Sequence, residues 1–371
     1  MEKEISYQKY FPNNSKFSKD IGNFFINAKN DGFLYSYNFL PRHEILISKV
    51  KSELLKLINK PDQNLYSLSE NQNLPHHWKN IIDFLKTGGF IDYLGIGSPF
   101  NDEIKLFFLD IFSPLPAKLT DGLTPKRDGY SRGVSLNLDE AVSKAIGEFL
   151  ERYSLLLYRK RQFIKASINQ LKNKRYNFLD IHDLAGFSEK QKVANGNLMF
   201  DDDSQFYWVE GRELNKKSKT FIPAQLIFWN YDFNHGNFLE PYLRESNTSG
   251  AAGFFTFEGA MLSAIYENAQ RDAFFIHWLN GNSPKQILNS TITSKKVQGL
   301  LEKARRYNFE VVFLNTTSDI KIPSCVCILL DRSGIGPAVS MGGGCGFDPD
   351  SVLERALTEA CSIHHWLRKR D

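Results

Sequence analysis

NLDEAVSKAIGEFLER, residues 137–152, decides how this chain is read, because its layout returns twice further on. TFEGAMLSAIYENAQR (256–271) and DPDSVLERALTEACSI (348–363), set beneath it without gaps, bring Glu148, Glu267 and Glu359 into one column. Asp139, Glu258 and Asp350 share an earlier column, and Ala145, Ala264 and Ala356 another. In the first segment Ala141, Val142, Ala145, Ile146, Phe149 and Leu150 recur at i, i+3 and i+4, the pattern of an amphipathic helix with one buried stripe. The spacing predicts three similar helices, each carrying a carboxylate at the same height.

On the first helix Glu148, Glu151 and Arg152 stand at i, i+3 and i+4 and so share one side. On the second, Glu267, Gln270 and Arg271 take those places; on the third, Arg355 lies one turn before Glu359. A single helix with such a face would be an ordinary solvated surface with weak ion pairs. Recurrence at a fixed offset is what points elsewhere. If the three faces converge, hard oxygen ligands and guanidinium groups meet in one cleft, a combination that suits Mg²⁺ and phosphate together. Glycines precede each helix: Gly133; then Gly250 and Gly253; then Gly342, Gly343, Gly344 and Gly346. Their N–H groups and the helix N-termini are expected to hold phosphate.

These residues carry a resemblance to the YcaO family, whose ATP-dependent members activate backbone amides of peptides. The matching motifs are Glu148-x-x-Glu151-Arg152, then Ser246-Asn247 through Gly253 to Glu267-x-x-Gln270-Arg271-Asp272-Ala273, then Gly342-Gly343-Gly344 leading to Arg355-x-x-x-Glu359. Together they run over roughly residues 110–371. The resemblance implies ATP and Mg²⁺ as cofactors, with Glu148, Glu151, Glu267 and Gln270 as metal ligands. It places Lys144, Arg152, Ser246, Asn247, Arg271, Arg355 and Glu359 around the nucleotide. The chain has Gln270 where the family usually has Glu, Lys144 where it has Ser, and Phe254-Phe255 where it has Asn.

The activity so implied is that of an ATP-dependent cyclodehydratase, which phosphorylates a backbone amide oxygen so that a neighbouring Cys, Ser or Thr closes an azoline ring. The substrate would be a ribosomally made precursor peptide. The chain ends WLRKRD, without the proline-rich tail common among azoline-forming relatives, which leaves thioamide or amidine formation as the second reading. A noncatalytic peptide-binding subunit is a third, from another class. Family members often work with an E1-like partner protein and sometimes a flavin dehydrogenase, so a complex is expected; the sequence leaves self-association into a homo-oligomer open. No residue is assigned as a catalytic acid, base or nucleophile.

The rest of the chain bounds these readings. With 371 residues and 42% hydrophobic side chains, substantial cores are expected. Forty-six basic and 42 acidic residues give +4, too mild a balance to argue for nucleic acid. MEKEISYQKY lacks the apolar core of a secretory signal and no run approaches a membrane span, so a cytoplasmic protein is expected. Residues 1–110 are set apart as an N-terminal extension, either for partner or peptide docking or as an elaboration covering the main sheet, and residues 111–371 as the ATP-binding domain. PRHEILISKVKSELLKLINK and HHWKNIIDFLK read as helices, and DEIKLFFLDIF as a strand. SQFYWVEGRELNKKSKTFIPAQLIFW reads as a hairpin; FEVVFLN, IKIPSCVCILLD and GPAVSMG read as further strands. Strands alternating with long helices predict a layered α/β (α+β) fold of repeated strand and loop-helix units.

Lys126, Arg127 and Arg132 are candidates to reach phosphate. The four cysteines are too sparse for a disulfide framework. Cys325 and Cys327 read as reduced core residues on one strand face, and Cys361-x-x-His364-His365 leaves zinc as an alternative. His277 and Trp278 read as packing residues.

Overall fold

The computed structural model describes residues 4–5, 76–91, 93–97, 99–100, 102–113, 129–158, 163–184, 187–214, 218–234, 238–254 and 256–368. The helix expected from Pro41, together with Lys126 and Arg127, lies outside them. In chain order the elements are β1 (Glu4–Ile5), α1 (His76–Thr87), β2 (Tyr93–Gly97), β3 (Phe107–Ser113), β4 (Gly129–Ser135) and α2 (Leu138–Leu156). Then come β5 (Ile164–Ala166), α3 (Ile168–Asn173), α4 (Glu189–Ala194), β6 (Phe206–Arg212), β7 (Lys219–Pro223) and α5 (Phe257–Asn280). The last part holds β8 (Lys285–Ile287), α6 (Lys295–Arg306), β9 (Phe309–Asn315), β10 (Ser324–Asp331), β11 (Val339–Cys345) and α7 (Pro349–Arg368). The strands form three sheets, ordered β2-β3-β4, β5-β6-β7 and β1-β8-β9-β10-β11. This is the layered α+β arrangement expected, and the hairpin β6–β7 and strands β9, β10 and β11 fall where the sequence put them.

The three aligned helices begin alike. Asn137 Oδ1 accepts from Glu140 N–H at 3.3 Å, Thr256 Oγ1 from Gly259 N–H at 3.1 Å, and Asp348 Oδ2 from Ser351 N–H at 3.3 Å. Each cap satisfies one of the donors that a helix start leaves unpaired. Pro349 opens α7, where its fixed φ suits the first helical position. Val142, Ala145, Ile146 and Phe149 of α2 pack on Leu109 and Ile111 of β3 and on Trp78, Ile81, Ile82 and Leu85 of α1. Burying each large apolar side chain contributes about 1.5–3 kcal/mol. The opposite face of β3, through Phe108, joins the core of α7, which takes in Leu353, Ala356, Leu357 and Ala360 with Cys325, Cys327 and Leu329 of β10.

The expected boundary lies between residues 110 and 111. It falls inside β3, whose pairing with β4 is unbroken from Phe107 to Ser113, and α1 belongs to the core of α2.

Strand and helix approach unusually closely in two places. A Cβ on Gly133 of β4 would lie 1.8 Å from Ala141 O of α2, and one on Gly344 of β11 would lie 2.1 Å from Val352 O of α7. Only glycine fits at either contact, which is why the helix backbones come within reach of the strands.

All four cysteines are buried free thiols. Burial raises Cys361 to about 12, so they are held as neutral core groups. His364 and His365 do not turn to zinc. His365 Nδ1 lies 2.8 Å from Glu103 Oε2, while His364 bridges Glu103 Oε1 at 3.3 Å and Asp331 Oδ2 at 3.2 Å. Burial alone would raise Glu103, but its hydrogen bonds with the two imidazoles hold it at about 2. Among the described residues no helix is long and apolar enough to cross a membrane.

Candidate active site

Three successive turns of α2 close the outer edge of β4. Lys144 Nζ donates to Val134 O at 3.3 Å, Glu148 Oε2 accepts from Arg132 N–H at 2.7 Å, and Arg152 Nη1 donates to Tyr130 O. Side chains at i, i+4 and i+8 on one helix face thus meet alternate residues of one strand, because both rows point the same way. Arg152 Nη2 also holds Glu148 Oε1 at 2.6 Å. On α7, Glu359 Oε2 accepts from Gly343 N–H of β11 at 2.6 Å. On α5 the partner is a loop: Glu267 Oε2 accepts from Gly250 N–H in the preceding segment at 3.2 Å and pairs with Arg271 at 2.8 Å. Glu151 accepts from Gly253 N–H of that loop at 2.9 Å, which ties α2 to the start of α5. Gln270 lies over Gly343, where a Cβ would stand 2.1 Å from its Nε2, and this ties α5 to β11.

The carboxylates feel one another. Burial raises Glu148 against the pull of Arg152, and Glu267 raises it further. Burial, then Glu148 and Glu267, push Glu151 up to about 7. Glu359 moves the same way through loss of water around it, with Glu267 and Glu148 adding to the rise and Arg271 opposing it, although its side chain keeps more contact with solvent. Glu267 is therefore the common electrostatic neighbour of the other three. Negative heads drawn from three helices make a neighbourhood that a cation would relieve.

The donor set fits Mg²⁺ and phosphate. Among the described residues no three acidic, imidazole or thiol groups are gathered into a cage for a metal ion. Mg²⁺ does not require one: it is held by one or two carboxylates, waters and substrate phosphate oxygens. Arg152 Nε is buried with no hydrogen-bond partner among the described residues, an orphaned donor beside this acidic cluster.

The other expected residues have partners within the chain or lie open to solvent. Lys144 is paired with Glu140 at 2.8 Å. The Arg132 guanidinium is bound to Asp110 at 2.5 and 2.9 Å, so it holds β3 to β4. Ser246 Oγ donates to Phe228 O at 3.2 Å, and Asn247 Oδ1 accepts from Ser249 N–H at 3.0 Å. Arg355 is exposed, and its charge is felt by Tyr266 and Cys345. The N–H groups of Gly250, Gly253 and Gly343, expected to cradle phosphate, are given to the chain's own carboxylates. The reading of Trp278 as a packing residue is also overturned. It is 64% exposed and stacks on Phe274 with ring centroids 5.8 Å apart, because α5 buries only Met261, Ala269 and Ala273. The Gly253 link to Glu151 was not foreseen; the glycine was visible, but its partner 102 residues earlier was not.

Comparison with known proteins accords with this geometry. The model of the YcaO cyclodehydratase family, described as ATP- and Mg²⁺-binding, matches residues 132–371. A search of curated proteins returns no match. Among solved structures, the fold is similar to a heterocyclase in complex with substrate and cofactor, with TM-score 0.63 and 17% identity, over 86% of this chain and 44% of that one. It is also similar to YcaO from Methanopyrus kandleri bound with AMPPCP and Mg²⁺, with TM-score 0.57 and 16% identity, over 79% of this chain and 67% of that one. The chain thus spans less than half the length of the heterocyclase it matches.

Proposed function

The chain belongs to the YcaO family, and on that premise we propose that it is an ATP-dependent peptide cyclodehydratase that forms azolines in a ribosomally made precursor peptide. ATP and Mg²⁺ are its cofactors. The observation that carries the reading is the shared electrostatic neighbourhood of Glu148, Glu151, Glu267 and Glu359. When bound, Mg²⁺–ATP supplies the phosphoryl group that turns an amide oxygen into a leaving group.

Glu148, Glu151, Glu267 and Gln270 would hold the metal. Arg152, Arg271 and Arg355 face phosphate, with Lys144, Ser246, Asn247 and Glu359 around the nucleotide. Glu148 and Glu267 are each paired with an arginine one turn away, and both pairs are partly open to solvent, where such pairs contribute about 0–1 kcal/mol. The carboxylates would therefore be available to the cation, and the planar guanidinium forks of Arg152 and Arg271 to phosphate oxygens. In the peptide, the Cys, Ser or Thr sulfur or oxygen forms a bond to the amide carbon and loses its proton. The former carbonyl oxygen departs as phosphate, and the amide nitrogen gives up its proton to leave a C=N bond.

The work is expected in the cytoplasm, beside a partner protein that carries peptide recognition. Incubation with Mg²⁺–ATP and a candidate precursor peptide should lower the peptide's mass by one water for each ADP formed. A replacement of oxygen by sulfur or nitrogen would move the reading to thioamide or amidine formation. No Mg²⁺–ATP binding by the intact protein would move it to a noncatalytic subunit.

A further inference from the structure

Among the described residues β4 and β11 are the last strands of their sheets, and each turns an edge towards the carboxylates. In an antiparallel ladder alternate residues aim their N–H and C=O at the partner strand and away from it. Ala338 O accepts from Asp331 N–H of β10 at 3.0 Å, whereas Gly343 N–H points outward to Glu359. Val339 and Met341, in step with Gly343, therefore present their N–H and C=O groups on the free edge.

The alignment that pairs Glu148 with Glu359 also pairs Arg152 with Ile363, and Tyr130 with Met341. Arg152 covers Tyr130 O. Ile363 has nothing to donate to Met341 O. Among the described residues the edge closed in one unit is thus open in the other, and it is bordered by apolar side chains in partial contact with water: Val339 at 49%, Met341 at 39% and Ile363 at 38% exposure.

We propose that the free edge of β11 at Val339 and Met341 takes the substrate peptide as an added strand. The inference rests on the proposed function in treating the substrate as a peptide. An edge strand recognises backbone, with side chains of the guest adding preference, which suits an enzyme whose reacting group is itself a backbone amide. Pairing stops at Gly343, because Glu359 already holds that N–H. A guest amide two residues beyond the one bonded to Met341 lies roughly 7 Å further along, level with Glu359 and Gln270. The strand thereby delivers an unpaired amide to the carboxylate cluster. Val339, Met341 and Ile363 shield the guest's hydrogen bonds from water.

The probe is a fluorescein-labelled peptide of about ten residues built from Gly, Ala and Cys, compared with the same peptide N-methylated at alternate amides. Anisotropy is read with wild type, Met341→Pro and Ile363→Arg. Met341→Pro removes only an outward N–H, so the β10 ladder is kept. Ile363→Arg copies the Arg152 cover and, as a partly exposed substitution, tests the edge independently should the proline variant fail to fold. Both variants, and N-methylation, should weaken peptide binding at least tenfold, while Mg²⁺–ATP affinity stays at the wild-type value. Unchanged binding in the folded variants, equal binding of methylated peptide, or no binding by wild type overturns the edge. So does a wild-type dimer that Met341→Pro turns into monomer, since β11 would then pair with a second copy. Loss of Mg²⁺–ATP binding in wild type would count against the proposed function and is measured separately.

Discussion

In β4, Tyr130 O, Arg132 N–H and Val134 O are all taken by α2, through Arg152, Glu148 and Lys144. In β11, of the corresponding groups, Gly343 N–H is taken by Glu359 of α7, and Ile363 stands where an arginine would cover the next carbonyl. The two units share their caps, their glycine contacts and their strand-to-glutamate hydrogen bond. What differs is the pair of side chains one turn either side of the glutamate. Among the described residues a repeated scaffold thus has one sealed edge and one open edge, both facing the same acidic cluster. α5 completes the cluster with its carboxylate but leans on a loop in place of a strand, and it buries correspondingly little.

The shared scaffold is broken most severely at its glycines. Gly133→Ala should cost about 3 kcal/mol or more, since the new methyl meets a helix carbonyl that cannot move aside. Gly344→Ala, whose Cβ would lie 2.1 Å from Val352 O, should cost slightly less in the same urea titration. A loss confined to one of them would show that the units are not equivalent. Next comes the cluster itself. Glu148→Gln should weaken Mg²⁺–ATP by at least about 100-fold, or about 2.7 kcal/mol, and Glu359→Gln by about tenfold, as read by calorimetry. Equal losses would erase the distinction between metal and nucleotide sides.

The pH dependence is smaller and has a definite sign. Glu151 stands near 7 in the folded protein against an ordinary value of 4.5, so the folded state holds the extra proton between them. Stability without metal should therefore fall as pH rises through that window, while Mg²⁺ binding strengthens and releases a proton. Melting temperatures in EDTA should show the decline, and Glu151→Gln should flatten it; a slope that persists in the variant assigns it to another group. Glu103, held near 2 by the histidines of α7, acts oppositely: its contribution is present above about 4.5 and is lost as pH falls towards 2. The smallest effect is a control away from both edges. Gly299→Ala in α6, where a Cβ meets nothing within 4 Å, should stabilise by about 0.5–1 kcal/mol in the same titration.

By itself the sequence determined the three helices and the level of their glutamates, because apolar stripes are local and repeat with the helical period. It also located the hairpin and the late strands, whose alternation is equally local. Tertiary structure alone decided what the glycines do. Gly250, Gly253 and Gly343 give their N–H groups to glutamates of other segments, and which carboxylate comes near is fixed by packing across long stretches of chain. It also decided that Arg132 belongs to Asp110, that Trp278 faces solvent, and that α1 and β3 share one core with α2. Most of all it set the contrast between Arg152 and Ile363. In the chain these are simply two residues in matching places; only when each helix lies beside its strand does one side chain reach a carbonyl that the other leaves open.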